Sequence, residues 1–194
     1  SNAFSFHCEI ASPVLWSPES PQLYSVEVNL TADGGLLDSH SEQFGIRSFG
    51  FDENKGFIIN GRRMQLRGVN RHQDFPGIAN VLPARLNRRD AELIKEMGGN
   101  FVRTSHYPQH PSFLAACDEF GIAVYEEICT WQFIGGRPFI DSADAMMADM
   151  IRRDRNHPSI VLWGVMNEGR SKKMFDRLKQ TALSLDPTRP TVYA

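Results

Sequence analysis

An amide and a carboxylate, Asn167 and Glu168, stand at the end of the apolar run Ile160-Val161-Leu162-Trp163-Gly164-Val165-Met166. The run has the length and the Val/Ile content of a buried strand. In parallel α/β folds the C-terminal strand ends carry the chemistry, so Glu168 is a candidate general acid or base. Three further strand ends carry groups of similar type: Asn70-Arg71-His72, Ser105-His106-Tyr107 and Glu126-Glu127. One such group is usually structural or solvated. Four in succession point to a shared pocket, because a parallel barrel gathers its strand ends on one face.

The elements that position these groups follow from pattern. Residues 4–50 read as β, with strands at Phe4–Ile10, Leu23–Leu30 and Leu36–Arg47, the last two joined across Asp33-Gly34-Gly35. That is too little for a whole immunoglobulin-like sandwich of ~100 residues, so it reads as the C-terminal part of one. Past residue 50, Phe57–Ile59 and Arg63–Arg67 flank Asn60-Gly61 as a hairpin. Strands then alternate with helices. Helices are expected at Arg88–Met97 with Asn87 as N-cap, at Pro111–Phe120 closed by Gly121, from Asp141 or Ser142 to the break at Asn156-His157-Pro158, and at Ser171–Leu185. Strands are expected at residues 100–105, 122–127 and 160–166, with another starting at Thr191. This alternation predicts βαβ units. A closed (β/α)₈ barrel needs ~250 residues. The fold class is therefore α/β: the first half of a (β/α)₈ TIM barrel over residues 51–194, preceded by the end of an antiparallel immunoglobulin-like β-sandwich over residues 4–50. Ser1-Asn2-Ala3 reads as a tag remnant, residues 1–3.

Composition narrows the classes. The net charge is −2 in 194 residues, which gives no reason to expect nucleic acid or an anionic membrane as partner. No apolar run approaches the ~20 residues of a membrane span. Cys8, Cys117 and Cys129 are odd in number and lack a CxxC pattern, so neither a zinc cage nor a disulfide framework is expected. Compartment is left open.

Several stretches together resemble glycoside hydrolase family 2, the group holding β-galactosidases and β-glucuronidases. Phe44-Gly45-Ile46-Arg47 is similar to the family's exit from its immunoglobulin-like domain. Arg67-Gly68-Val69-Asn70-Arg71-His72 and Asn100-Phe101-Val102-Arg103-Thr104-Ser105-His106-Tyr107-Pro108 resemble its first two barrel strands. Arg153-Asp154-Arg155-Asn156-His157-Pro158-Ser159-Ile160, followed by Trp163, Asn167 and Glu168, is similar to its acid/base signature.

The resemblance implies a retaining β-glycosidase with a β-galactoside as first choice of substrate. Glu168 would be the acid/base and Asn167 would hold the sugar 2-hydroxyl. His72 and His106 would line the sugar site. Arg67 and Arg103 would lie near the catalytic carboxylates, Glu127 beside the pocket, and Trp131 on its wall. The nucleophile of the family comes from a later strand, with no counterpart here, so the 194-residue chain is expected to be inactive alone. Some bacterial β-galactosidases bind magnesium through a Glu-x-His next to the acid/base. The corresponding stretch is read here as Trp131-Gln132-Phe133, whose rings cannot ligate a hard cation. No metal and no other cofactor is expected. The implied partner is a carbohydrate, with self-association through uncovered half-barrel surfaces. Glu168 is expected to titrate close to the free Glu value of ~4.3. Other readings are a different specificity, such as glucuronide, mannoside or arabinoside, and a catalytically dead carbohydrate-binding module.

Overall fold

The structure is a computed structural model that describes residue 5 and residues 7–194. The expected tag remnant at 1–3, and two apolar positions of the expected first strand, 4 and 6, lie outside the described residues. The rest of that stretch, Ser5 and His7–Ile10, forms no strand. Ser12 turns the chain with a left-handed backbone, φ 50°.

Three sheets follow. Strands β1 (Tyr24–Ala32) and β2 (Gly35–Phe44) make an antiparallel hairpin around Asp33-Gly34. Both turn residues have positive φ, 52° and 78°, which glycine adopts at no steric cost. Val26, Val28 and Leu30 line one face of β1 and are all exposed. They alternate as the period-2 pattern requires. Strands β3 (Phe49–Asp52), β4 (Gly56–Ile59) and β5 (Arg62–Arg63) form a small antiparallel sheet. Strand β3 lies across residue 50, the expected boundary, and pairs with β4.

The main sheet is parallel, in the order β10-β9-β8-β7-β6. Its strands are β6 (Gly68–Arg71), β7 (Phe101–Thr104), β8 (Ala123–Glu127), β9 (Ile160–Met166) and β10 (Thr191–Tyr193). Helices α1 (Ala84–Glu96), α2 (Pro111–Phe120), α3 (Arg137–Asp154) and α4 (Lys172–Leu185) connect them. Each strand neighbours its sequence successor, the winding of a (β/α)₈ barrel, of which this is the first part.

Two helix starts differ from expectation. Helix α1 begins at Ala84 after Pro83, and Asn87 is a buried helical residue instead of a cap. Its amide donates to Ser112 Oγ at 3.1 Å and accepts from Arg71 at 2.8 Å, so a tertiary network overrides its local capping preference. Helix α3 begins at Arg137, a turn before the expected start, with Pro138 suited to its first turn. Helix α4, expected from Ser171, begins at Lys172 with Ser171 as its N-cap, accepting from Met174 N at 3.3 Å.

Two cores hold the parallel sheet. The outer one packs Ala91, Ile94, Phe113, Leu114, Met147, Ile151, Met174 and Leu178 from the helices onto Val102, Val124 and Trp163. The helical residues recur at three- and four-residue intervals, which puts each set on one face. The inner core closes the N-terminal end of the sheet. Trp16, Phe57, Ile59, Ala123 and Val161 are buried there together, with Phe101 and Met64 against them. Trp16 is 0% exposed and its indole donates to the Asp118 carbonyl at 2.8 Å. Its backbone N–H donates to Ile46 O at 2.8 Å, and its carbonyl accepts from Asn60 Nδ2 at 3.0 Å. The segment before β1 is thereby the floor of the barrel. Trp16→Ala removes the largest side chain of that floor. It is expected to lower the chain's stability by about 3–5 kcal/mol, read from urea denaturation.

Candidate active site

The C-terminal ends of β7, β8 and β9 converge on one buried ion pair. Arg103 is third in β7 and Glu127 is last in β8, and both project to the interior of the sheet's curve. The guanidinium grips the carboxylate twice, Nε to Oε2 at 3.1 Å and Nη2 to Oε2 at 2.9 Å, with Oε1 at 3.2 Å from Nη2. Glu127 is 1% exposed, so its charge has lost its water and needs this partner. His106 Nδ1 lies 2.6 Å from Glu127 Oε1 and supplies a third contact. Beyond it, His72 stands edge-on to His106 with ring centroids 5.4 Å apart. His72 is exposed at the rim.

Asn167 joins from the end of β9. Its Oδ1 accepts from Arg103 Nη2 at 2.6 Å, while its Nδ2, buried, has no partner among the described residues. Trp131 bridges Asn167 in parallel, and Gln132 N donates to Asn167 O at 3.0 Å. The loop after β8 is thus sewn to the end of β9. Glu168 then points outward, exposed to solvent. Gln132 Nε2 donates to its Oε2 at 2.7 Å and Trp131 Nε1 to the same oxygen at 3.3 Å. These two bonds, with the charges of His106 and Arg103 behind them, hold the Glu168 carboxyl below its ordinary range. This corrects the expectation of a near-free value. Glu168 and Gln132 both have left-handed backbones, φ 52° and 55°. Non-glycine residues rarely adopt that region, and such residues concentrate at functional sites.

Most of the residues singled out from sequence come together: Arg103, His106, Glu127, Trp131, Asn167 and Glu168 form one connected cluster, with His72 against it. Arg67 does not. Its carbonyl accepts from Asn100 N and Phe101 N at the start of β7, the opposite end of the sheet, and its side chain bonds Gln65 at 3.3 Å. It precedes β6, and a strand's two ends face opposite ways. Arg71, in the same motif, turns outward instead. It bonds Asp90 at 2.7 Å, Asn87 at 2.8 Å and Gln109, over the face of Phe113.

Three site residues were not legible beforehand. Gln132 sits in an irregular loop, and nothing in sequence marks it as the donor to Glu168. Tyr125 places its ring 5.1 Å from the Arg103 guanidinium, and period-2 spacing from Glu127 could have placed it on the same face. Gly164 is the third. A Cβ there would fall 2.2 Å from Glu127 Cβ and 2.4 Å from Tyr125 Cε2. Only glycine leaves room for both side chains.

The chain has relatives among known proteins. A family model described as Glycosyl hydrolases family 2, TIM barrel domain, matches residues 52–194, and one described as Glycosyl hydrolases family 2 matches residues 1–47. The chain is 45% identical over 183 residues to a β-galactosidase of Thermoanaerobacter pseudethanolicus, covering 93% of this chain and 25% of that protein. It is 41% identical over 194 residues to a β-galactosidase of Thermoanaerobacterium thermosulfurigenes, covering 98% and 27%. Among solved structures, apo β-glucuronidase 3 of Bacteroides uniformis superposes with a TM-score of 0.90 at 37% identity, over 100% of this chain and 26% of that one. The chain spans about a quarter of the length of these relatives.

The Glu168 environment is directly testable. Gln132→Ala removes the shorter of two donors to the ionised carboxylate, so the Glu168 pKa is expected to rise toward the ordinary Glu value of ~4.3. A carbon-13 titration of the side-chain carboxyl reads the shift. An unchanged midpoint would show that Gln132 does not hold the charge.

Proposed function

The chain belongs to glycoside hydrolase family 2, and from that premise we propose that it carries the acid/base half of a retaining β-glycosidase acting on terminal β-galactosides. The observation that carries the reading is the pairing at the end of β9. An exposed carboxylate, Glu168, adjoins an amide, Asn167, whose Oδ1 is committed to Arg103 and whose Nδ2 is left without a partner among the described residues. A donor fixed beside a proton-transferring carboxyl suits a sugar whose glycosidic oxygen is protonated while its 2-hydroxyl is held.

In this mechanism Glu168 first donates its proton to the leaving oxygen. It then takes one from the water that releases the sugar. Asn167 Nδ2 hydrogen-bonds the 2-hydroxyl, and His72 and His106 line the sugar's flank. Trp131, 60% exposed beside Glu168, offers its indole face to the sugar or aglycone. Arg103 and Glu127 form the rigid base on which these groups sit. We place the sandwich segment at residues 4–50 and the barrel segment at 51–194, with β3 spanning the join.

Retention needs a second carboxylate ~5–5.5 Å from the acid/base. Glu127 is engaged on both oxygens by Arg103 and His106, which leaves it a poor nucleophile. The reading therefore takes the nucleophile from sequence outside these 194 residues. It also supplies what Glu168 lacks here. A nearby negative nucleophile would raise the Glu168 pKa by like-charge repulsion and keep the acid form at working pH. A glucuronide is the second reading, favoured by the similarity to the β-glucuronidase of Bacteroides uniformis at TM-score 0.90. A β-galactoside ranks first because the β-galactosidase relative is 45% identical, against 37% for that β-glucuronidase.

The experiment compares an alkyl β-galactoside and an alkyl β-glucuronide, whose leaving groups are poor, as substrates of the enzyme containing this chain. Glu168→Gln is expected to cut kcat by roughly 10²–10⁴-fold on substrates with poor leaving groups. The first sugar released should keep its anomeric configuration by proton NMR. Undiminished turnover in Glu168→Gln would sink the assignment, and preference for the glucuronide would move it to the second reading. The 194-residue chain alone is expected to show no turnover of either substrate above the uncatalysed rate.

A further inference from the structure

Strand β8 ends in two carboxylates that a strand must send to opposite faces. Glu127 goes inward to Arg103. Glu126 goes outward, between β8 and the helix layer, where it is 0% exposed and neither of its oxygens has a hydrogen-bond partner among the described residues. Its lateral neighbours in the sheet, Thr104 on β7 and Trp163 on β9, are uncharged. The charged groups facing it come from α3. Asp154, also 0% exposed, accepts from Arg153 Nε and Nη2 at 2.8 Å each. Arg153 Nη2 is 3.7 Å from Glu126 Oε1 and spends its remaining donor on the Gln109 carbonyl at 2.8 Å. From α2 comes Cys117, a thiol pushed up by burial and so neutral. Arg71, beyond it, is committed to Asp90, Asn87 and Gln109.

The site thus holds two buried carboxyls and one guanidinium, and the guanidinium is already paired. Two full negative charges against one positive would leave an uncompensated buried charge, which is costly. Burial, and then the like charge of Asp154, push the Glu126 carboxyl well above the ordinary range. A neutral Glu126 balances the cluster and gives its own O–H an acceptor in Asp154.

We propose that Glu126 is a positioning residue: one proton, shared with Asp154 beside Arg153, pins the outer face of β8 so that Glu127 stays aimed at Arg103 and His106 on the inner face. The coupling is mechanical and short, because the two carboxylates are consecutive residues of one strand. When Glu126 loses its proton, the new charge pulls its residue away from the apolar layer. Glu127 then moves with the backbone, and the grip of Arg103 on Asn167 loosens. The inference deepens the reading of this cluster as the sugar site, but its measurement does not depend on turnover.

The sign follows from the raised folded pKa. The stabilising contribution is fully present below the unfolded Glu value of ~4.3 and is lost as pH rises toward the folded midpoint. Over that window the unfolding constant in urea should rise about tenfold per pH unit, the slope of one proton. Glu126→Gln keeps the shape and the neutrality, so that slope should vanish. The decisive measurement is a site-resolved NMR titration of the wild-type chain. Glu126 is expected to titrate well above the ordinary Glu range. The Arg103 Nε–H and His106 ring resonances should step at the Glu126 midpoint, and Glu126→Gln should erase that step. A Glu126 that titrates in the ordinary range overturns the proposal. So does a high-titrating Glu126 with no coincident step at Arg103 and His106, since a merely structural acid would behave that way. If Glu126→Gln does not fold, the coincidence of midpoints in the wild type still decides. Should the coincident step appear while Glu168→Gln retains full turnover, the glycosidase assignment fails and the positioning role stands.

Discussion

The Arg103–Glu127 pair sets the geometry of everything around it. A carboxylate that is 1% exposed must be matched or it costs several kcal/mol. Arginine matches it with a planar fork of fixed donors. Once Nε and Nη2 are turned toward Glu127, the second Nη2 hydrogen has one direction left, and Asn167 Oδ1 lies there at 2.6 Å. The amide orientation of Asn167 is then no longer free. Its oxygen faces the arginine, and its buried nitrogen, turned away from it, has no partner among the described residues. A contact two strands away thus decides how this amide is oriented. The same pair also demands Gly164 on the adjacent strand, because any side chain there would occupy the space of Glu127 and Tyr125.

Strand β8 solves one electrostatic problem in two ways. Inward, the charge of Glu127 is kept and neutralised by a guanidinium and an imidazole. Outward, Arg153 is paired with Asp154, and burial beside that second acid favours the protonated form of Glu126. The two faces thus meet the burial of a five-residue strand that ends in two acids in different ways. The floor of the barrel supports this from below. Trp16 and the β3–β5 sheet seal the N-terminal ends, so the strands cannot shear to relieve a misplaced charge.

Much of this was legible in the sequence because barrel strands announce themselves. The runs Ile122–Tyr125 and Ile160–Met166 are continuous and apolar, and helix α2 matched its closing residue Gly121. What stayed hidden lay where local preference and tertiary need diverge. Asn87 has a cap's chemistry but is used as a buried bridge between Arg71 and Ser112. Arg67 and Arg71 belong to one motif, yet one sits at the wrong end of β6 and the other on its wrong face for a sugar. Motif similarity alone does not record which way a side chain points. The strand period does, and applied to Glu126-Glu127 it separates the acid of the site from the acid behind it.

Glu168 differs from every other acid in the cluster. It is exposed and strained to a left-handed backbone, and two donors stabilise its charged form. The exposure and the two donors favour a carboxylate over a carboxylic acid. In this part of the molecule Glu168 is thus built as a better base than acid. Its strained backbone fixes where the carboxyl points without fixing its charge. That division suits the acid/base role proposed for Glu168, which needs both protonation states. Direction comes from the β8–β9 loop through Gln132 and Trp131. Proton affinity is left to whichever charges approach from the open side. A negative group on that side would raise the proton affinity of Glu168 by like-charge repulsion.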